Sequence, residues 1–87
     1  MSNDKLRDAI SSHVVLILKE EREKQKLSLN RLAQKAGIAR QTIGYVEGEV
    51  QSPSLDTMLR IALALDVDLA KIIARAQKRA SKKSALS

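Results

Sequence analysis

The 87 residues contain no cysteine, tryptophan or phenylalanine, and Tyr45, Pro53 and His13 are the only residues of their kinds. Without cysteine, neither a disulfide framework nor a thiolate metal site can form. With one aromatic side chain, any core must be built from Leu, Ile, Val, Ala and Met, as helical bundles often are. A single histidine has no partner at metal-ligand spacing and no visible orienting group, so a helix-surface or partly packed role is expected of His13. There are no paired carboxylates in an apparent pocket and no phosphate-cradling glycine loop, so neither an enzyme nor a cofactor is expected. No apolar run approaches the roughly 18 residues of a membrane span, and nothing reads as a signal peptide. A soluble, cytoplasmic protein is the expectation.

What is present suits one small domain. Hydrophobic residues make up 44% of the chain, enough for a single modest core. The formal charge is +6, unevenly placed. Residues 78–87 hold Lys78, Arg79, Lys82 and Lys83 and no acid, a net +4; residues 1–77 hold the other 12 basic and all 10 acidic side chains, a net +2. Basicity of this kind suggests affinity for polyanions without specifying one.

The most informative stretch is Leu29 to Gly48, LNRLAQKAGIARQTIGYVEG. Ser28 is placed to cap a helix, its hydroxyl accepting an orphan N–H of the first turn. Leu29, Leu32, Ala33 and Ala36 then fall at i, i+3, i+4 and i+7, one apolar stripe about two turns long. Gly37 supplies the left-handed residue that ends this helix. Ile38 and Ala39 make a turn, and a second helix starts near Arg40. Its Ile43 and Val46 face inward, whereas Arg40, Gln41, Gly44 and Tyr45 face out. Ala33 is small where two steeply crossing helices must approach.

This spacing resembles that of the lambda-repressor-like family, also called Cro/repressor or XRE. The likeness runs from about Val14 to Ile73, through Arg22 and the stretch above to PSLDTMLRIALALDV. It implies an all-α, compact five-helix DNA-binding domain with the helix-turn-helix at helices 2 and 3. It also implies an ion pair between Arg22 and Glu47 that ties the first helix to the third. In the family, a glutamine often stands at Leu29, a serine or threonine at Ala39, and a glycine at Glu49. These departures remove two contacts to the DNA backbone and put an acid near the phosphate path.

Along the chain, residues 1–3 are read as frayed and Asp4 as the cap of a helix reaching about Gln25, some two turns longer at its start than usual in the family. Val14 to Leu18 is apolar all round. Ile17 and Leu18 are expected in the core; Val15 and Leu16 fit the core and a second subunit equally. Helix 2 covers about Leu29 to Ala36, its N-terminus with Ser28 and Asn30 forming a candidate phosphate site. Arg31 and Lys35 suit a solvated face as well as phosphate contact. Helix 3 covers about Arg40 to Glu47. Arg40 can donate two hydrogen bonds to guanine and Gln41 can pair with adenine, each worth about 1–3 kcal/mol of discrimination. Thr42, Gly44 and Tyr45 complete the DNA-contact set. A solvent-facing structural role does not explain the roughly 1 kcal/mol that Gly44 costs its helix, whereas close approach to DNA does. Tyr45 can also be read as a half-buried lid. Gly48 is taken as the end of helix 3. Ser54 caps helix 4, where Leu55, Met58, Leu59, Ile61, Ala62 and Leu65 are core by spacing and Thr57 and Arg60 are surface. Leu69, Ile72, Ile73 and Ala76 form the stripe of helix 5. The domain is bounded at 1–77, and 78–87 is read as a basic, disordered tail. A loose arm adding DNA attraction and a helical extension into a dimer are the alternatives.

The function expected is that of a sequence-specific regulator binding double-stranded DNA in the nucleoid, a repressor and homodimer, whose two recognition helices would face half-sites about 34 Å apart. One rival keeps the fold and makes the chain an antitoxin-type autoregulator with a toxin partner. Another makes it a protein-interaction module without specific DNA binding.

Overall fold

The computed structural model describes residues 4–86, with side chains through Lys82. Five helices follow one another: α1 Asp4–Lys24, α2 Leu29–Ala36, α3 Arg40–Glu47, α4 Leu55–Ala64 and α5 Leu69–Leu86, with no strand among the described residues. Serines start two of them. The Ser28 hydroxyl accepts from the Arg31 N–H at 3.0 Å and the Ser54 hydroxyl from the Thr57 N–H at 3.1 Å, each satisfying an orphan donor of the first turn.

The ends of α1 to α4 share one turn. A residue with positive φ follows each helix (Lys26 59°, Gly37 68°, Glu49 57°, Asp66 59°), and the next N–H reaches back five residues. Those bonds run from Leu27 to the Arg22 carbonyl, Ile38 to Ala33, Val50 to Tyr45 and Val67 to Ala62, closing helix carbonyls that would otherwise lack donors. Helix α3 ends at Gly48, as expected, and the left-handed residue of its turn is the next one, Glu49. The left-handed position falls where the family more often has glycine.

The core draws its largest fully buried side chains from successive elements: Ile17 of α1, Leu32 of α2, Ile43 of α3 and Leu65 after α4. Each such side chain contributes about 1.5–3 kcal/mol when buried. Leu69, Ile72 and Ala76 of α5 join the same cluster. The most extensive helix–helix contact is α1 with α5, and α2 packs on both α3 and α4. Gln25 Nε2 also donates to the Leu65 carbonyl at 2.7 Å, fastening the end of α1 to the end of α4.

Three expectations need correction. The described part of the tail is helical, so α5 runs through the 77/78 boundary to Leu86 instead of dissolving. Ala80 is buried as Ala76 is, and Arg79 pairs with Glu20 of α1 at 3.6 Å, so α5 continues along a partner. Residues 1–3, read as frayed, and Ser87 lie outside the described residues. In α4 the apolar arc is only partly covered. Ile61, Ala62 and Leu65 are buried and Met58 is half-buried, but Leu55 and Leu59 stand 59% and 41% exposed, with Leu63 beside them at 75%. Thr57, expected at the surface, is half-buried. Of the pair left open on α1, Val15 is buried within the chain and Leu16 is exposed.

Candidate nucleic-acid interface

The α2–α3 corner follows from small residues at its crossing. Ala33 and Ala36 are buried, and the Ala33 carbonyl accepts from both Gly37 and Ile38 as the chain turns left-handed at Gly37. A Cβ added at Gly37 would meet Arg60 Nη1 at 3.6 Å, so the α4 guanidinium lies beside this turn. Arg60 is held there by Asp56, whose Oδ2 accepts from its Nε at 2.8 Å. Ala39 begins α3 in an extended conformation with no side-chain cap, which leaves the first N–H groups of α3 without a side-chain acceptor.

Ile43 and Val46 are buried and fix the rotation of α3 about its axis. The opposite side carries Gln41 and Tyr45, both exposed, with Gly44 beside Gln41. Gln41 Nε2 donates to the Tyr45 hydroxyl at 2.6 Å, which leaves the amide oxygen, one amide N–H and the phenolic O–H free. Arg40 is exposed and makes no ion pair among the described residues. Thr42 sits half-buried on the flank of α3. Ser28 and Asn30 are exposed at the start of α2, the Ser28 hydroxyl already accepting the capping N–H. Asn30 shares a shallow groove with Gln34, Gly37, Ile38 and Arg40. Arg40, Gln41, Gly44 and Tyr45 therefore lie on α3, and Asn30 joins them across the groove. Gln34 is not among the residues the sequence reading assigns to the site, and Arg60 is read there only as surface. Gln34 carries a signal, standing four residues after Asn30 on the outward side of α2, whereas Arg60 carries none, because it arrives from a helix further along the chain.

Behind this face, Arg22 and Glu47 meet in a two-point ion pair, Nε to Oε2 at 2.7 Å and Nη2 to Oε1 at 3.0 Å. Arg22 Nη1 also donates to the Leu27 carbonyl at 2.7 Å. Both side chains are 13% exposed. The hydrogen bond to Glu47 raises the Arg22 pKa above its ordinary value despite opposing desolvation, so the guanidinium stays charged throughout the accessible pH range. The pair locks α3 to α1 and so orients the outward side chains. A second tie runs from the Ser12 hydroxyl to Glu49 Oε1 at 2.5 Å, drawing that acid toward α1. Among the described residues no cluster of His, Asp or Glu could hold a metal ion, and no helix is long and apolar enough to cross a membrane.

Comparison with known proteins places residues 18–72 within a helix-turn-helix family model. A protein of Methanocaldococcus jannaschii, provisionally named an HTH-type transcriptional regulatory protein, is 42% identical over 55 residues. That match covers 63% of this chain but 17% of the relative, most of whose length has no counterpart here. No solved structure gives a significant match.

Proposed function

The chain belongs to the lambda-repressor-like (Cro/repressor, XRE) helix-turn-helix family, and from that membership we propose that it regulates transcription by binding double-stranded DNA sequence-specifically through α3. The observation that carries the reading is the outward row of Arg40, Gln41, Gly44 and Tyr45 on a helix whose other side is buried and bolted to α1 by Arg22–Glu47. A helix presented in this way fits the major groove, where arginine addresses guanine and glutamine addresses adenine. Asn30, the start of α2 and Arg60 beside the turn supply backbone contacts that set register without reading sequence.

The specific form proposed is a homodimeric repressor of the nucleoid. An eight-residue recognition helix is about 12 Å long and spans only a few base pairs. Two copies double the sequence read. The exposed leucines of α4 supply a face for that second copy, and Leu59 and Leu63 border a groove of about 550 Å³ formed with Val67 and with Leu69 and Ile73 of α5. The same face favours one second reading, a complex with another protein in which DNA binding serves autoregulation.

The test is selection from random duplex DNA near physiological salt, with Arg40→Ala/Gln41→Ala run in parallel. An inverted repeat enriched by the wild type and lost in the variant is expected. A single half-site would remove the dimer, and no enrichment would sink the regulator reading.

A further inference from the structure

The charge excess has an address in the fold. Residues 69–87 carry six basic side chains and no acid, and residues 1–68 carry ten of each, so the whole +6 belongs to α5 and its end. The helix sorts that charge. Leu69, Ile72, Ala76 and Ala80 are buried, whereas Lys71, Arg75, Lys78 and Lys82 are exposed at i, i+4, i+7 and i+11. These four lie within about 60° of one another around the axis, on the side away from the buried line, over a length of about 16 Å. None makes an ion pair among the described residues, in contrast to Arg79 with Glu20. Four cations in one row, none in an ion pair among the described residues, repel each other.

The row is also separate from the recognition face. Helix α5 packs chiefly on α1 and makes no substantial contact with α2 or α3; α1 itself is tied to α3 by Arg22–Glu47. Most of the row lies beyond residue 72, where the family match ends. Duplex DNA presents one charge per roughly 1.7 Å, about ten phosphates along such a row. Single strands are a poorer fit, because they are held by stacking on aromatics and the only aromatic, Tyr45, is on α3. A membrane surface is poorer too: the flanking Ala70, Ala74, Gln77 and Ser81 offer no large apolar group to insert.

We propose that Lys71, Arg75, Lys78 and Lys82 form a second, sequence-independent surface that grips duplex phosphates α3 does not face. The inference rests on the DNA-binding reading for its choice of duplex. Its test is the salt dependence of full-chain binding to random-sequence duplex. Replacing Lys71→Gln, Arg75→Gln, Lys78→Gln and Lys82→Gln together keeps helix propensity nearly constant and should flatten the slope of log K against log salt by about 3–4. Lys71→Arg, Lys78→Arg and Lys82→Arg together should keep the slope. A sequence selected by the wild type should be selected by the glutamine variant as well. Failure of the α3 reading alone would appear as no selected sequence with the row's slope intact. An unchanged slope in the glutamine variant overturns the proposal. So does a variant that loses binding to phosphatidylserine vesicles but not to duplex.

Discussion

Gly44 sits in the middle of an eight-residue helix, where glycine costs about 1 kcal/mol relative to alanine. In the free protein nothing requires it. Its φ is not positive, and a Cβ built there meets no atom within 4 Å. Gly44→Ala should therefore stabilise the unbound chain by about 1 kcal/mol, a rise in Tm of about 4–8 °C for a domain of this size. Bound to DNA, the balance reverses. The new methyl projects from the outward side of α3, between the directions of Arg40 and Gln41, on the surface that must press into the groove, and α3 has to withdraw or tilt to admit it. Arg40 and Gln41 then lose alignment with base edges, where each well-placed pair is worth about 1–3 kcal/mol. Specific affinity should fall at least about tenfold, the equivalent of 1.4 kcal/mol. Thermal melts followed by far-UV circular dichroism and anisotropy titrations on a selected duplex measure the two effects in one preparation. A variant that melts higher and binds equally well would refute close approach at Gly44. One that melts lower would show that the site in solution is not the open one described.

The remaining predictions concern how α3 is held and how copies associate. Glu49→Gly relieves a left-handed residue, worth about 1 kcal/mol, against the loss of one exposed hydrogen bond from Ser12; a net gain of about 0.5 kcal/mol is expected in urea unfolding, and destabilisation would show that the Ser12 contact dominates. Arg22→Met strands the Glu47 carboxylate and the Leu27 carbonyl, and should cost about 3 kcal/mol, the lower end for a buried pair. Arg22→Met/Glu47→Leu should cost less than the two single changes together, and strict additivity in the double-mutant cycle would mean the pair is not coupled. Leu59→Glu/Leu63→Glu places charges where the isolated chain is already exposed, so folding should survive while sedimentation shifts from dimer to monomer. An unchanged dimer would move the interface away from α4.

Much of this architecture is legible because its signals are local. The hydroxyls of Ser28 and Ser54, the stripe Leu32, Ala33 and Ala36, and the turn at Gly37 each act within a few residues. The end of α3 at Gly48 is legible in the same way, and the Val50 N–H reaching the Tyr45 carbonyl then puts the left-handed conformation on Glu49, as the same geometry does at Lys26 and Asp66. Where the decisive interaction is distant, the reading fails. Past Gln77 the composition is mostly polar and basic, and Ala80, Ala85 and Leu86 are the only apolar residues. The burial of Ala80 depends on α5 having a partner in α1, which is distant in the sequence.

Helix α4 shows a different limit. Its apolar positions, from Leu55 round to Leu65, occupy an arc wider than a helix in a small domain can bury on one side. Spacing identifies the arc but not which part of it meets the chain's own core. The structure divides it, with Ile61, Ala62 and Leu65 inward and Leu55, Leu59 and Leu63 outward. Water penalises the exposed leucines as it would exposed core residues, so a contact surface and a core are written in the same residues. Charge divides α5 in the same manner, its buried line facing α1 and its basic row facing out. The two unsatisfied surfaces differ in chemistry, which lets them be tested apart: added salt weakens a grip on phosphates and leaves a leucine contact intact or strengthens it. A dimer that persists at a salt concentration where random duplex is released would assign the leucines to protein and the basic row to DNA. Joint loss of both would mean that the copies associate only on the duplex.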